Sequence, residues 1–453
     1  MSDTYFKRNA YNDLIKWKNN PHHKPLLVRG LRQTGKTTLV TEFAKNNYKS
    51  VFFLDFRKDK SIHQIFDGDF NIDDITFNIT IKYPNIRLIP HDTVFIFDEI
   101  QDCPNARSSL KYFSLDGRYD VIATGSMLGI KNYRISKEES RGIPVGFEDY
   151  LELKPLNYEE FVMATGINKT LDEIFSQYID NNKQIPDFIH NQFLDLYRKY
   201  ACVGGMPEVV NSYLSTKDFS VVKDIQKRII NNYEADFGTH LNDRHEIIVD
   251  STAKERIFAT FHSIPRQLAK ENQKFQYSVI TKKAKSREYE TSIEWLEDYG
   301  LISLCKNLTT LERPLESYVD DSIFKVFIND PGLYLCLLND PNITQELINN
   351  SLGMSKGAIY ENLISCSFNS LGINQYYFHK NTGLEIDFIS ILNNQSTLIE
   401  VKATSGKTKS ADFVLSSNKY NVNQMIKFSA ANIGVHGNKK NYPYYLADLI
   451  LKQ

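Results

Sequence analysis

The segment GLRQTGKTT, near the start of the chain, has the residue types and the spacing of a phosphate-binding loop. Residues 30–37 fit the pattern G-x-x-x-x-G-K-[ST] between a predicted strand and a predicted helix. The two glycines allow backbone N–H groups to point at phosphates, Lys36 would neutralise the β and γ charges, and the Thr37 hydroxyl could bind Mg²⁺. The sequence therefore predicts an ATP and Mg²⁺ site formed by Gly30, Leu31, Arg32, Gln33, Thr34, Gly35, Lys36, Thr37 and Thr38.

Two acidic residues, Asp98 and Glu99, follow the apolar run TVFIF. Such a run predicts a strand buried in a parallel sheet, so both carboxylates would lie at the C-terminal edge of that sheet, beside the phosphate-binding loop. We expect Asp98 to hold Mg²⁺ through water, and Glu99 to orient and deprotonate the water that attacks ATP. The alternative is that both acids are surface charges, which the nearby Lys36 motif makes the weaker interpretation.

A third apolar run, YDVIAT, leads into Thr124 and Ser126, and either hydroxyl could contact the γ-phosphate of ATP. The sequence Thr-Gly-Ser is equally typical of a turn, so both interpretations stay open. Arg141, in the segment EESRGIPVG, could reach a phosphate in its own subunit or in a neighbouring one, or it could face solvent.

A second group of charged residues lies in the segment GLEIDFISILNNQSTLIEVKA. Its pattern predicts two antiparallel strands joined by a turn at residues 393–394. A turn centred there places Asp387 opposite Glu400 and Glu385 opposite Lys402, with all four side chains on one face. The hairpin would therefore bring two carboxylates directly together.

Opposed carboxylates repel each other unless a cation offsets their charge, so this hairpin predicts a divalent metal site. Asp387 and Glu400 would bind Mg²⁺ or Mn²⁺, Lys402 would position or activate water, and Glu361 from the helix YENLISCSFNSL would complete the cluster. The alternative is a surface hairpin that is stabilised by a Glu385–Lys402 ion pair and has no chemistry.

The elements that must position these residues form four predicted parts. Short apolar runs alternate with helical stretches over residues 1–156, which is typical of an α/β core with a parallel sheet. Amphipathic helices over residues 157–245 predict a helical lid or linker, and residues 246–310 have a winged-helix-like pattern of short helices followed by a strand. Residues 311–453 return to strands around one helix and form an α/β part.

Four basic residues precede the last predicted helix of the winged-helix-like part: Lys282, Lys283, Lys285 and Arg287. These residues could contact DNA phosphates. Four acids on the same helix oppose its insertion into a DNA groove: Glu288, Glu290, Glu294 and Glu297. A contact with a protein, or internal packing, is therefore at least as well supported as DNA binding, and Trp295 is expected in the core.

The composition indicates an ordinary globular protein, with 453 residues of which 42% are hydrophobic and 24% charged, and a formal net charge of −1. This charge gives no general support for nucleic-acid or membrane binding, although it leaves room for a local basic face. No apolar run approaches the roughly 18 residues of a membrane span, and the N-terminus is polar. The five cysteines lack zinc-site or disulfide spacing, so we expect a cytoplasmic protein with buried free thiols.

The motifs GLRQTGKTTLV, FIFDEIQ, ATGSM and PLNYEEF together resemble those of bacterial and archaeal AAA-type ATPases that carry a C-terminal nuclease-like domain. The resemblance continues through ACVGGMPEVV, KGAIYENLI and GLEIDFISILNNQSTLIEVKA, and so covers nearly the whole chain. It implies an AAA-type P-loop core, a winged-helix-like middle and a restriction-endonuclease-like end of the PD-(D/E)xK type. The family usually has an Ala-Gly-Arg-like turn between Arg141 and Pro155, which this sequence matches poorly, so the resemblance gives no support to a finger role for Arg141.

These observations predict an ATP-hydrolysing switch that is coupled to a C-terminal nuclease-like module and acts in DNA processing or defence. The alternative is a regulatory ATPase that binds a protein partner and whose nuclease-like domain is catalytically silent. An oligomer stays open, and membrane association is not expected.

Overall fold

The computed structural model of the protein describes residues 5–125, 146–241, 247–270, 273–282, 284–353, 356–403, 408–417 and 419–453. The chain divides into two compact units. The N-terminal unit consists of Met1–Lys154, Gly238–Ser251 and Asp298–Gly300, and the C-terminal unit of Pro155–Phe237, Thr252–Glu297 and Leu301–Gln453. Among the described residues, no helix combines the length and the apolar character needed to cross a membrane.

The N-terminal unit is built on a parallel sheet of five strands: β1 (Leu26–Arg29), β2 (Ser50–Asp55), β3 (Thr93–Asp98), β4 (Asp120–Gly125) and β5 (Asp149–Glu152). Their order in the sheet is β2-β3-β4-β1-β5, and each neighbouring pair is parallel. The α/β core with a parallel sheet that the apolar runs predict is therefore confirmed. The switch in strand order places the ends of β1 and β3 on either side of β4, where open sheets of this kind bind ligands.

Helices cover both faces of this sheet: α1 (Ala10–Asn19), α2 (Lys36–Asn47), α3 (Ile72–Lys82) and α4 (Pro104–Asp116). All six residues of β3 are buried, and successive residues enter different apolar clusters. Phe95 packs in the same cluster as Leu110 of α4, whereas Ile96 packs in the cluster of Phe43 of α2. A strand buried on both faces has this continuous apolar sequence. Two short antiparallel strands, β6 (Thr239–Leu241) and β7 (Ile247–Val249), also belong to this unit.

Between residues 158 and 299, the described residues form helices joined by turns, apart from the strands β6 and β7. The helices are α5 (Tyr158–Ala164), α6 (Leu171–Asp180), α7 (Asp187–Val203), α8 (Pro207–Thr216), α9 (Phe219–Asp236), α10 (Ser251–Leu268), α11 (Tyr277–Ile280) and α12 (Ser286–Tyr299). Capping boxes begin α5 at Asn157 and α6 at Thr170, where the side chain and a glutamate three residues later exchange hydrogen bonds with the backbone. Residues close to each helix start thus determine where α5 and α6 begin.

The C-terminal unit contains a mixed sheet of eight strands: β8 (Ile302–Leu308), β9 (Val319–Ile328), β10 (Gln375–Lys380), β11 (Leu384–Leu392), β12 (Gln395–Lys402), β13 (Gln424–Ser429), β14 (Gly434–His436) and β15 (Lys439–Pro443). Their order is β14-β15-β13-β12-β11-β10-β8-β9. The helices that follow β9 in the chain are α13 (Pro331–Leu338), α14 (Ile343–Ile348), α15 (Lys356–Ser370), α16 (Lys409–Ser416) and α17 (Ala447–Leu451).

Strand β8 connects the helical middle to this sheet. It pairs with β9 in an antiparallel manner and with β10 in a parallel manner. The sequence-based boundary at residue 310 falls between β8 and β9, which fold in one sheet. Local pattern could not reveal this, because β10 follows β8 only after more than sixty residues.

Candidate functional site

The phosphate-binding loop has the backbone that its glycines predict. Gly30 has φ of 139°, and a Cβ atom added to it would lie 2.1 Å from the carbonyl oxygen of Leu153, so only glycine fits. Gly35 has φ of 87° and is the residue immediately before α2. The loop therefore leads directly into the N-terminus of a helix, where backbone N–H groups have no intrahelical partners and favour anions.

Lys36 is buried and folded back on the loop. Its Nζ donates hydrogen bonds to the carbonyl oxygens of Gly30 at 3.0 Å and Leu31 at 2.7 Å. Burial lowers the pKa of Lys36 to about 8, although the charges of Glu99 and Asp98 oppose this shift. A buried ammonium beside a helix N-terminus suits a phosphate, which would supply the negative charge that burial makes necessary.

Asp98 joins three elements at the carboxyl edge of the sheet. Thr37 Oγ1 donates a hydrogen bond of 2.8 Å to Asp98 Oδ1, and Thr124 Oγ1 donates to the same oxygen. Burial raises the pKa of Asp98, although the bonds from Thr124 and Thr37 oppose this rise. A hydroxyl and a carboxylate at this distance are oxygen donors of the kind that Mg²⁺ prefers, so Thr37 and Asp98 fit a magnesium site.

Glu99 occupies a constrained position directly after β3. Its backbone is left-handed, with φ of 53° and ψ of 49°, which is uncommon for a residue other than glycine. Arg57 Nη2 lies 3.2 Å from Glu99 Oε2, and the amide of Gln101 donates to the same oxygen. The carboxylate is therefore oriented by two donors that sequence reasoning missed.

Arg8 is a further residue that sequence reasoning missed. Its Nη1 donates a hydrogen bond of 2.9 Å to the carbonyl oxygen of Thr34, and the Thr34 hydroxyl donates to the carbonyl oxygen of Leu31 at 2.9 Å. These two hydrogen bonds stabilise the conformation of the phosphate-binding loop. Only its position before a helix in the sequence could have drawn attention to Arg8, and such a signal is weak.

The second group of residues is held by the hairpin β11–β12. The strands pair from Phe388 with Ile399 to Leu392 with Gln395, which is the predicted register, and the turn residues Asn393 and Asn394 have φ of 49° and 60°. The predicted hairpin is confirmed. The ladder stops one position short of Asp387 and Glu400.

A β-bulge in β11 explains why the ladder stops. Ile386 pairs with Phe378 and Ile389 with Tyr376, so that Asp387 and Phe388 together face Tyr377. Ile386 and Ile389 lie in one apolar cluster although they are three residues apart, which an unbroken strand would not allow. The bulge frees the Asp387 carboxylate, which accepts a hydrogen bond of 2.7 Å from the N–H of Val401.

Lys402 lies between the two acids of the hairpin. Its Nζ is 3.2 Å from Asp387 Oδ2 and 2.6 Å from Glu400 Oε2. Burial alone would lower the pKa of Lys402, but the charges of Asp387 and Glu400 outweigh it and raise the pKa. The Tyr444 hydroxyl donates a hydrogen bond of 2.6 Å to the carbonyl oxygen of Lys402 and so fixes its backbone.

Glu361 of α15 and Glu385 of β11 belong to the same group. Gln273 Nε2 donates to Glu361 Oε1 at 3.0 Å, and Lys325 Nζ lies 2.9 Å from Glu385 Oε1 and 3.7 Å from Glu361 Oε2. The Glu385–Lys402 ion pair of the surface-hairpin alternative is therefore replaced: Glu385 pairs with Lys325. Glu385 does not pair with Lys402, because the Lys402 ammonium already neutralises Asp387 and Glu400.

These side chains line a cavity of about 390 Å³, bounded by Gln273, Glu361, Glu385, Asp387, Glu400, Lys402, Thr408, Lys409 and Ser410. Burial raises the pKa of both Glu361 and Glu400. Within the described part of the chain, Glu361 Oε2 and Glu400 Oε1 are buried and have no hydrogen-bond partner. Buried oxygens of this kind are suitable for a bound cation.

The metal cluster expected from the sequence is not fully assembled. Over the residues that the structure describes, no group of three or more His, Cys, Asp or Glu side chains is placed to hold a metal ion. The physical reason is that lysines neutralise these acids: Lys402 contacts Asp387 and Glu400, and Lys325 lies beside Glu361. Asp387 and Glu400 still fit a metal as a pair of oxygen donors, provided that the Lys402 ammonium moves aside.

Three parts of the chain match models of protein families. Residues 194–344 match a domain of unknown function (DUF8612), and residues 356–449 match another domain of unknown function (DUF4143). Residues 22–162 match the AAA domain. This part of the chain is similar to AAA domains. The matched residues include the phosphate-binding loop, Asp98, Glu99 and Thr124.

Several solved structures are similar to the chain at low identity. The Walker-type ATPase PABY2304 of Pyrococcus abyssi is 15% identical with a TM-score of 0.40, and the alignment covers 74% of this chain and 97% of that one. The ORC1 protein of Aeropyrum pernix in complex with DNA is 12% identical (TM-score 0.27; 76% and 95% covered). AMPPCP-bound DnaA from Aquifex aeolicus is 14% identical (TM-score 0.28; 64% and 86% covered). No curated protein sequence matches the chain.

The other residues that the sequence predicts to bind the nucleotide differ in how far they are buried. Leu31 and Thr34 are buried, whereas Arg32, Thr37 and Thr38 are half-buried and Gln33 is exposed. Thr124 is buried against Asp98. Ser126 and Arg141 lie outside the described residues, so their roles stay predictions.

The basic cluster before α12 is accessible to solvent. Lys282, Lys285 and Arg287 are exposed, and Lys283 lies outside the described residues. The four glutamates of α12 are also exposed, and Trp295 is half-buried with its ring 5.5 Å from that of Phe237. The expectation that Trp295 is a core residue is met in part, because the residue is half-buried. The winged-helix interpretation stays a prediction.

Proposed function

We propose that the chain binds ATP with Mg²⁺ and hydrolyses it slowly, as a switch. The observation that carries this proposal is the hydrogen bond from Thr37 to Asp98, because it brings together a hydroxyl and a carboxylate in the AAA domain that are suited to one magnesium ion. Lys36 would leave the loop carbonyls to bind the β- and γ-phosphates. Thr37 and Asp98 would hold the magnesium ion, which would supply positive charge to the phosphates.

Glu99 would act on the attacking water. Its carboxylate would accept a proton as the water oxygen bonds to the γ-phosphorus and the bond to the β–γ bridging oxygen breaks, which yields ADP and phosphate. Arg57 and Gln101 support this role because they already orient one oxygen of that carboxylate. The contacts of Arg57 and Gln101 with the Glu99 carboxylate would have to lengthen during turnover.

Two substitutions test the ATPase proposal. Lys36→Ala should remove tight ATP binding, whereas Glu99→Gln should retain binding and reduce the steady-state hydrolysis rate by about a hundredfold or more, the usual contribution of a general base. Asp102→Asn is a matched control, because Asp102 also pairs with Arg57, at 2.9 Å, and should leave hydrolysis nearly unchanged. Undiminished hydrolysis by Glu99→Gln would refute the role of Glu99.

For the C-terminal unit we propose a metal-dependent phosphodiester hydrolase of the restriction-endonuclease-like type, coupled to the ATPase. This is supported by the unpartnered buried oxygens of Glu361 and Glu400, which line one cavity with Asp387 and Lys402. A divalent cation, Mg²⁺ or Mn²⁺, held by Asp387 and Glu400 would polarise the scissile phosphate and acidify water. Lys402 would then stabilise negative charge on the phosphoryl group, and Glu361 would complete the acidic side of the cavity.

The lysines of this site favour a second candidate function. Because Lys402 and Lys325 neutralise the acids without a metal ion, the unit could keep its fold and never cut, as a regulatory module that recognises a protein partner. Cleavage of DNA and RNA substrates with ATP and Mn²⁺ distinguishes the two. Asp387→Ala should abolish cleavage and leave ATP hydrolysis intact, whereas Asp321→Ala, which removes an exposed partner of Lys306, should affect neither. If wild type cuts no substrate and binds metal no better than Asp387→Ala, the regulatory candidate stands.

Coupling between the two activities is tested separately. The ATP hydrolysis rate is measured with no nucleic acid, with double-stranded DNA and with single-stranded DNA. A change in rate with either form supports a role in DNA processing or defence, and an unchanged rate supports the protein-partner candidate.

A further inference from the structure

Lys325 is a buried lysine at the acidic cavity, and neither the motif nor the proposed mechanism uses it. Its side chain is 1% exposed. It arises from the edge strand β9 and reaches across β8 and β10 to Glu385 of β11. Its Nζ is 2.9 Å from Glu385 Oε1, 3.7 Å from Glu361 Oε2 and 5.0 Å from the centre of the Tyr377 ring.

The surroundings of the Lys325 ammonium resemble a binding site for a metal cation more than they resemble a surface ion pair. An ammonium in the protein interior is costly unless acids surround it, and here two carboxylates and an aromatic face do so. Glu361 has a second hydrogen bond, because Gln273 Nε2 donates to its Oε1, whereas its Oε2 is buried without a hydrogen-bond partner. This Oε2 oxygen lies 3.7 Å from the Lys325 ammonium. Glu361 also lines the cavity.

The cavity thus contains two similar arrangements side by side. Asp387 and Glu400 share the ammonium of Lys402, and Glu361 and Glu385 share that of Lys325. The two lysines differ in their freedom, because the Lys402 side chain is 24% exposed and that of Lys325 only 1%. Lys402 reaches solvent, so its ammonium would have room to move aside for a metal ion, whereas Lys325 is enclosed.

We propose that the Lys325 ammonium is a fixed substitute for a divalent cation, so that the cavity holds one metal ion fewer than its four carboxylates could bind. Removal of this ammonium creates an additional site for Mg²⁺ or Mn²⁺ between Glu361 and Glu385. The proposal rests on the proposed metal-dependent function only for the first ion, at Asp387 and Glu400. A single metal ion beside a fixed positive charge would replace the pair of ions that many phosphodiesterases use.

The test is to count Mn²⁺ bound to the full chain, by calorimetry and by electron paramagnetic resonance of free Mn²⁺. Lys325→Met, which removes the charge and preserves most of the volume, should bind one more ion per chain than wild type. Lys325→Arg, which retains the charge, should bind the same number as wild type. No additional ion in folded Lys325→Met overturns the proposal.

The two proposals fail in distinguishable ways. The number of ions on wild type tests the proposed metal-dependent function, whereas the difference between Lys325→Met and wild type tests the role of Lys325. If Lys325→Met folds only when Mn²⁺ is present, the metal ion has replaced the ammonium and the proposal is supported. If it does not fold even with Mn²⁺ while Lys325→Met/Glu385→Gln does fold, a divalent cation cannot take that place and the proposal is overturned.

Discussion

Thr37 donates a hydrogen bond of 2.8 Å to Asp98, and this bond joins the first turn of α2 to the last residue of β3. The two residues are separated by about sixty positions in the chain, so the bond depends on the parallel sheet that places the ends of its strands together. In the proposed ATP site, these two oxygens would be the protein's donors to magnesium.

Thr37→Val should weaken ATP binding in the presence of Mg²⁺ by about tenfold, the equivalent of about 1.4 kcal/mol, because the metal-binding hydroxyl is lost. Binding in EDTA should change little. Thr37→Ser retains the hydroxyl and should behave like wild type. Titration of a fluorescent ATP analogue with and without Mg²⁺ measures the difference, and an equal loss under both conditions would contradict the magnesium role.

Charge reversal at Lys282, Lys283 and Lys285 should weaken any DNA binding and flatten its dependence on salt. Each lost phosphate contact reduces the slope of log K against log salt by about 0.9 for duplex DNA. Lys169→Glu/Lys183→Glu/Lys227→Glu places three reversed charges at other exposed positions and serves as the control for net charge. Fluorescence anisotropy at several salt concentrations gives the slopes, and an unchanged slope would show that the basic cluster does not contact DNA.

Tyr444→Phe should weaken Mn²⁺ binding at the C-terminal site several-fold. The lost hydrogen bond to the carbonyl oxygen of Lys402 is worth about 1 kcal/mol. Metal binding should weaken because this bond anchors the end of β12, the strand that also carries the proposed metal ligand Glu400. Tyr445→Phe is the matched control, since the Tyr445 hydroxyl contacts His190 at 2.9 Å and not the hairpin. Calorimetry and thermal melting of both variants should show similar destabilisation but weaker metal binding only in Tyr444→Phe.

The His23–Asp120 pair should make the stability of the N-terminal unit depend on pH. The hydrogen bond to Asp120, 2.9 Å long, raises the pKa of His23 above its usual 6.5, although burial opposes this. Because the folded state binds the proton more tightly, the stabilisation is complete below about pH 6.5 and is lost as the pH rises through the raised value. The free energy of unfolding of wild type should therefore fall over this range, and that of His23→Gln should fall less.

This slope can be measured by denaturant unfolding followed through Trp17, whose ring lies 4.7 Å from that of His23. A Trp295→Phe background removes the other tryptophan of the chain. Parallel slopes for wild type and His23→Gln between pH 6 and 8 would assign the pH dependence to other groups.

What the sequence predicted well is local in the chain. The phosphate-binding loop and the turn at residues 393–394 are each specified within a few residues by glycines, asparagines and the apolar runs beside them. Lys325 and Gln273 could not be predicted, because they reach the cavity from parts of the chain that only the tertiary fold brings together. A signal for Lys325 did exist, since a single lysine interrupts the apolar run IFKVFI, and a charge inside such a strand needs a partner.

The same distinction explains the middle of the chain. The helices were readable from amphipathic spacing, but the pairing of β8 with β10 joins residues that are about seventy positions apart. Hydrophobic pattern identifies such a strand without naming its neighbours. The sequence alone therefore could not show that β8 is a strand of the eight-stranded sheet rather than the wing of a separate domain.

The bulge in β11 has a consequence for how this site can be lost or gained in evolution. Deleting Asp387 would leave Ile386 and Ile389 two positions apart, which is the natural spacing for two side chains in one apolar cluster, and would regularise the ladder with β10. The ladder with β12 begins at Phe388 and would keep its register. A one-residue deletion would thus remove the acid while the sheet stays intact, and a relative that lacks this residue would keep the scaffold without the proposed metal ligand.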